Sequence, residues 1–144
     1  MNTTAAAAHV ALTNDLLTGM EWSPAQVRNF LQLAADVKAH PDRYRGALAG
    51  RFFAMIFEKP SLRTRVTFEV GIASLGGSSV FLDHTVTHLG ERESIPDVAK
   101  SLERWVTGIV ARVFKQESLE QLAANASVPG SWRHPEWIRA RRDA

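Results

Sequence analysis

The chain has 144 residues, 45% apolar and 22% charged, which suits one globular domain with a real core. Cysteine is absent, which excludes a disulfide framework and a thiolate metal site and agrees with a reducing, cytoplasmic setting. The net charge is +2, and residues 131–144 carry four arginines against two acids, so the body of the chain is near neutral and does not call for nucleic acid. No stretch approaches the ~20 apolar residues of a membrane span. The alanine run at residues 5–8 lacks the basic leader of a signal peptide.

Residues 1–15 are expected to be a disordered N-terminus. A first helix is predicted at Trp22-Ser23-Pro24-Ala25-Gln26-Val27: Ser23 as N-cap, Pro24 at the first helical position and Gln26 closing a capping box. Trp22 and Val27 are placed to form the hydrophobic staple. Val27, Phe30, Leu31, Ala34 and Val37 follow a helical spacing, an amphipathic stripe read as scaffold. His40-Pro41 ends this helix, and Arg43, Tyr44 and Arg45 in the connection are expected to be solvated.

The next apolar block, Phe52 to Ile56, shows no alternation and is short, as in a parallel strand buried on both faces. Pro60 breaks it. Ser61 can cap the helix that follows, in which Phe68, Ile72 and Leu75 should face the sheet, and Gly76-Gly77 closes it. A second strand is predicted over residues 78–82. A polar loop with His84, His88, Glu91, Arg92 and Glu93 comes next. Two histidines four apart can suggest a metal pair on a helix. Gly90 and the β-branched Thr85, Val86 and Thr87 argue against a helix there, and no third ligand is evident, so no metal is expected. Ser94-Ile95-Pro96-Asp97 opens a third helix by a capping-box pattern with a short acid, with Ile95, Val98, Ala99, Leu102 and Val106 on one side. A third strand over residues 108–114 carries Arg112 near its carboxyl end, either at a sheet edge or aimed at an anion in the crevice. Ser118, Leu119, Leu122, Ala123 and Ala126 mark a fourth helix, and Val128-Pro129 should start a fourth strand. Strands alternating with helices imply right-handed crossovers and an α/β fold: a three-layer parallel sheet with flanking helices.

The stretch Phe57-Glu58-Lys59-Pro60-Ser61-Leu62-Arg63-Thr64-Arg65 thus lies between a strand's carboxyl end and a helix's amino end. Arg63 and Arg65 sit in the first helical turn, where the macrodipole disfavours cations. With Ser61 and Thr64 hydroxyls and free backbone N–H groups beside them, they make a site for a doubly charged oxyanion such as phosphate. A Ser-capped helix with two solvated arginines explains the same residues, and the nonapeptide alone leaves both readings open.

F-E-K-P-S-L-R-T-R followed by V-T-F-E-V-G closely resembles the carbamoyl-phosphate signature of the ornithine carbamoyltransferases, usually F-E-K-P-S-T-R-T-R, and more distantly that of the aspartate carbamoyltransferases. Leu89-Gly90-Glu91-Arg92-Glu93-Ser94 is similar to the family's L-G-x-x-E-S, Gly108-Ile109-Val110-Ala111-Arg112 to its G-I-x-x-R, and residues 123–129 to its A-x-x-A-S-V-P. The blocks stand in family order and spacing over residues 16–129.

The resemblance implies a carbamoyl-phosphate-binding domain at residues 16–129, with Ser61, Leu62, Arg63, Thr64, His88 and Arg112 as substrate-binding positions. Arg112 is the implied catalytic residue, polarising the carbamoyl group; Arg65 is a candidate for a structural ion pair instead. No metal or organic cofactor is implied. Leu62 replaces the usual threonine and removes one hydroxyl while leaving its N–H. His88 stands where the family has a glutamine that reaches a neighbouring subunit's site in a homotrimer; a solvated loop histidine is the plain alternative. The implied reaction transfers the carbamoyl group from carbamoyl phosphate to the δ-amino group of ornithine, giving citrulline and phosphate.

After Pro129 the likeness stops. Residues 130–144 are expected to form a divergent basic tail, Trp137 stands where the family's H-P-x-Q motif has glutamine, and the ornithine-binding domain is expected to be absent. The expectation is a truncated chain that binds carbamoyl phosphate at most and is inactive alone. Two alternatives are a carbamoyltransferase for another amine (aspartate, a modified ornithine or a polyamine) and a non-enzymatic anion-binding or interaction module.

Overall fold

A computed structural model describes residues 15–83, 90, 92–128 and 130–131. Helix α1 (Pro24–Ala39) starts as its sequence dictates: Gln26 N–H donates to Ser23 Oγ at 3.3 Å and Ser23 N–H to Gln26 Oε1 at 2.8 Å. The Trp22 ring packs edge-on against Phe30, with centroids 5.0 Å apart, rather than on Val27 as expected. No residue of α1 is buried; Phe30 is 38% and Leu31 59% exposed, so the apolar stripe is only partly covered among the described residues. A single 3-10 turn (Pro41–Tyr44) follows. Arg43 and Arg45 are solvated as expected, with side chains 66% and 78% exposed, while half-buried Tyr44 donates its Oη–H to Asp36 Oδ2 at 2.5 Å.

The sheet is wholly parallel, in the order β2-β1-β3-β4, with β1 at Phe52–Phe57, β2 at Ser78–Asp83, β3 at Gly108–Arg112 and β4 at Gly130–Ser131. Parallel neighbours need crossovers. Helix α2 (Leu62–Ser74) links β1 to β2, α3 (Ile95–Leu102) precedes β3, and α4 (Gln116–Asn125) leads to β4. The fourth strand, expected to start at Val128-Pro129, is present as the two residues Gly130–Ser131 against β3. Strand β3 leaves the ladder at Arg112, two residues short of the predicted end, and Val106 is buried just beyond α3 rather than within it.

Ala54, Met55, Ile56 and Phe57 are each at most 4% exposed, as a strand buried on both faces requires. Side chains alternate across it. Ala54 and Ile56 join Ile109 and Ala111 under Ile95, Ala99 and Leu102 of α3 and Leu119 and Leu122 of α4. Met55, Phe57 and Val110 join Ile72 of α2 on the other face, flanked by half-buried Phe68 and Phe81. Two cores on opposite sides of one sheet make three layers. Leu75, predicted to share the Ile72 face, is the residue at which α2 ends; it lines a cleft with Val37 and Pro41 instead.

The helix termini account for the turns. Gly77 N–H donates to Ile72 O at 2.9 Å and Gly76 N–H to Ala73 O at 3.0 Å, the two bonds of a Schellman motif, with Gly76 at φ 84°. At α3, Asp97 N–H donates to Ser94 Oγ, but Asp97 Oδ2 receives the Ser94 hydroxyl at 2.6 Å rather than closing a full capping box. The shorter acid bonds the nearer group. Among the described residues no helix is long and apolar enough to cross a membrane.

Gly76→Ala is expected to destabilise the domain by about 1–3 kcal/mol, because an L side chain is strained at positive φ. The added Cβ would also lie 2.6 Å from the Arg45 carbonyl oxygen. Denaturant unfolding of the pair measures this. A second expectation concerns acid. The Ser127 N–H and hydroxyl donate to Glu103 Oε2 at 2.7 and 2.8 Å, and Lys100 Nζ adds a contact at 3.3 Å. The Ser127 backbone bond is the largest cause holding the Glu103 carboxyl below its usual 4.5. A depressed folded value contributes stability above the unfolded pKa, lost as pH falls through the folded one. The gap in Tm between the parent and Glu103→Gln should therefore be widest near neutrality and close on acidification below 4.5.

Candidate functional site

From β1 the chain crosses to β2 on one side; it later returns to β3 on the other. The crevice between the carboxyl ends of β1 and β3 is therefore the switch point at which open α/β sheets bind ligands. Phe57, the last residue of β1, is in register with Arg112, the last of β3. Residues far apart in sequence meet there. Glu58 N–H donates to Arg112 O at 2.8 Å, and Arg112 Nη1 approaches Pro60 O at 3.5 Å, the long limit of a hydrogen bond. Phe114 N–H donates to Glu58 Oε2, and Lys59 Nζ lies 5.0 Å from the centre of the Phe114 ring. Arg112 is on an inner strand, between β1 and β4, and not at a sheet edge.

Ser61 occupies the N-cap of α2 at φ −156° and ψ 88°, yet its hydroxyl makes no capping bond. This departs from the simple capped helix. The Ser61 hydroxyl and the first-turn N–H groups of Leu62, Arg63 and Thr64 stay available to a ligand. Ser61 and Thr64 are half-buried, Arg63 is exposed and Leu62 is 79% exposed. Arg65 is committed elsewhere. Its guanidinium lies 3.7 Å from the Phe81 ring centre and its Nε donates to Glu69 Oε1 at 3.0 Å. Phe81 in turn meets Phe57, with ring centres 5.7 Å apart, so Arg65 ties the first turn of α2 to β2. Among the described residues neither Arg63 nor Arg112 makes an ion pair.

A cleft of about 310 Å³ opens beside the helix start, bounded by Lys59, Ser61, Leu62, Arg65, Phe81 and Asp83 among others. Ser61 and Leu62 line it; Arg63, Thr64 and Arg112 do not, and stand at the same end of the sheet outside its wall. His88 lies outside the described residues. The sequence reading did not single out Glu58 or Phe81. The signal for Glu58 was present: an acid directly after a strand of six apolar residues, where burial is the rule. Phe81 carried no signal beyond its apolar character.

Residues 14–133 match the family model described as aspartate/ornithine carbamoyltransferase, carbamoyl-P binding domain. An ornithine carbamoyltransferase of Thermus thermophilus is 49% identical over 121 residues, which are 83% of this chain and 40% of that protein. The crystal structure of an ornithine carbamoyltransferase from Thermus thermophilus superposes with a TM-score of 0.75 at 47% identity, covering 83% of this chain and 42% of that one. For the Pyrococcus furiosus enzyme the TM-score is 0.79 at 36% identity, covering 85% and 39%. The chain thus spans about 40% of the length of these relatives. With a matching model over most of its length and the switch-point geometry in place, the chain belongs to the aspartate/ornithine carbamoyltransferase family and carries its carbamoyl-phosphate-binding domain.

Proposed function

We propose that this chain binds carbamoyl phosphate where β1 passes into α2 and supplies that half of an ornithine carbamoyltransferase reaction. One observation carries the reading: the Ser61 side chain makes no capping bond at the start of α2, and this helix start follows β1, whose last residue, Phe57, is in register with Arg112 of β3. On this reading the Ser61 and Thr64 hydroxyls, the Arg63 guanidinium and the first-turn N–H groups, that of Leu62 included, hold the phosphate. Arg112 polarises the carbamoyl oxygen. The δ-amino nitrogen of ornithine attacks the carbamoyl carbon, the new C–N bond forms, and the C–O bond to phosphate breaks. Phosphate leaves with the electron pair, and the nitrogen gives up a proton. Fixed cations and N–H donors offset charge on the leaving phosphate and on the carbonyl oxygen, with no cofactor needed.

For this chain alone the reading stops at binding. Transfer also needs the amine held in line with the carbamoyl carbon, and no described residue is assigned to that task. We expect no citrulline from the purified chain, carbamoyl phosphate and ornithine. A homotrimer in the cytoplasm belongs to the same proposal, with His88 of one copy reaching the site of the next. Supporting it, α2 exposes Leu62, Val66 and Val70 at intervals of one helical turn. An exposed apolar row of this kind is a feature of association sites.

Carbamoyl phosphate at about 100 times its dissociation constant should raise stability by roughly 2.7 kcal/mol, read as a shifted thermal melt with inorganic phosphate as control. A cooperative melt that neither ligand moves would sink the proposal. The two arginines of the first turn should separate. Arg63→Met is expected to remove most of the ligand shift at little cost to the apo melt. Arg65→Met should keep the shift while lowering apo stability by about 0.5–1 kcal/mol, the loss of a stacked, half-exposed ion pair.

A further inference from the structure

Among the described residues the buried set contains one polar side chain, Glu58, 8% exposed. A carboxylate removed from water must find donors. Its partner is the backbone N–H of Phe114, 56 residues along the chain, while the Glu58 N–H donates to Arg112 O at 2.8 Å. One residue thus grips the chain on either side of Val113, itself 1% exposed. The ladder ends at Arg112, so regular strand pairing no longer holds the backbone at this point. Lys59 over Phe114 and Pro60 O against Arg112 repeat the crossing of the two segments. Both proposed anion-holding groups stem from that crossing: the helix start follows Pro60, and Arg112 leads into Val113.

We infer that Glu58 is a positioning residue, whose carboxylate sets the gap between the Ser61–Thr64 helix start and the Arg112 guanidinium by fixing the backbone that leaves β3. This deepens the carbamoyl-phosphate reading and rests on it. Glu58 acts through the Phe114 amide. What matters is the reach of the acceptor: two methylenes bring an oxygen to the Phe114 N–H, and one would leave it short.

Glu58→Gln, Glu58→Asp and Glu58→Ala in the same chain, titrated with inorganic phosphate and followed by amide NMR, test the inference. Gln keeps an acceptor at the same reach. It should bind phosphate within about threefold of the parent and leave the Phe114 amide slow to exchange. Asp keeps the charge but not the reach. It should lose roughly tenfold or more in affinity, speed exchange at Phe114 and shift the amide signals of Ser61, Arg63 and Thr64. Ala should follow Asp; should Ala fail to fold, the contrast between Gln and Asp decides. Asp binding like the parent, or Gln falling as far as Asp, overturns the inference. If the parent binds neither inorganic phosphate nor carbamoyl phosphate, the proposed function fails instead, and the ligand-free spectra decide the positioning role. Shifts reaching Ser61–Thr64 in Asp but not Gln uphold it; shifts confined to the immediate neighbours of Glu58 and Phe114 overturn it.

Discussion

Strand β1 is hydrogen-bonded along both edges and covered on both faces, and the rest of the domain is placed by that constraint. A strand so enclosed cannot slide or tilt without unpairing backbone groups on two sides. Fully burying each of its larger side chains contributes about 1.5–3 kcal/mol, so Met55, Ile56 and Phe57 alone fix its depth in the sheet. The chain must then leave β1 at a set point and height. Glu58 and Pro60 turn it there, beside the equally fixed end of β3. Precision at the site comes from the rigidity of the strand below it.

Local pattern carried much of this into view. The capping box at Ser23, the apolar block of β1, the glycine pair closing α2 and the alternation of strands with helices are all short-range signals, and each was readable because its cause lies within a few residues. The contacts that build the site are of another kind. Arg112 could be read as an edge residue or as a ligand for an anion, and only the strand order, with β3 next to β1, decides for the inner position. The Glu58–Phe114 bond and the stacking of Arg65 on Phe81 join residues from segments far apart in the chain or in different elements, and no periodicity encodes them. Ser61 shows the converse. Its type and place announce a cap, and the hydroxyl is nonetheless left uncommitted.

Two expectations failed for the same physical reason, that an amphipathic pattern specifies an apolar face but not what covers it. The stripe on α1 was read as scaffold, yet no residue of that helix is buried, and Trp22 turns along it to meet Phe30. Leu75 follows Phe68 and Ile72 at helical spacing, but the helix ends there and Leu75 lines the cleft with Val37 and Pro41. The outer face of α2, with Leu62, Val66 and Val70, was not predicted from spacing at all. It begins at Leu62, in the first turn of the helix.

The turn closing α2 has a bearing on how this chain can vary in length. Leu48 N–H donates to Leu75 O and Ser78 N–H to Arg51 O, both at 2.9 Å, so the approach to β1 is laced to the approach to β2. Gly76 sits against the Arg45 carbonyl with no room for a side chain. One residue added or removed in either approach would slip one strand against the other, and a slip of one sends every side chain to the opposite face. Ile56 and Phe57 would trade cores, and the strand end would meet Arg112 out of step. These two segments are points of fixed length, and the register of the whole sheet is counted from them.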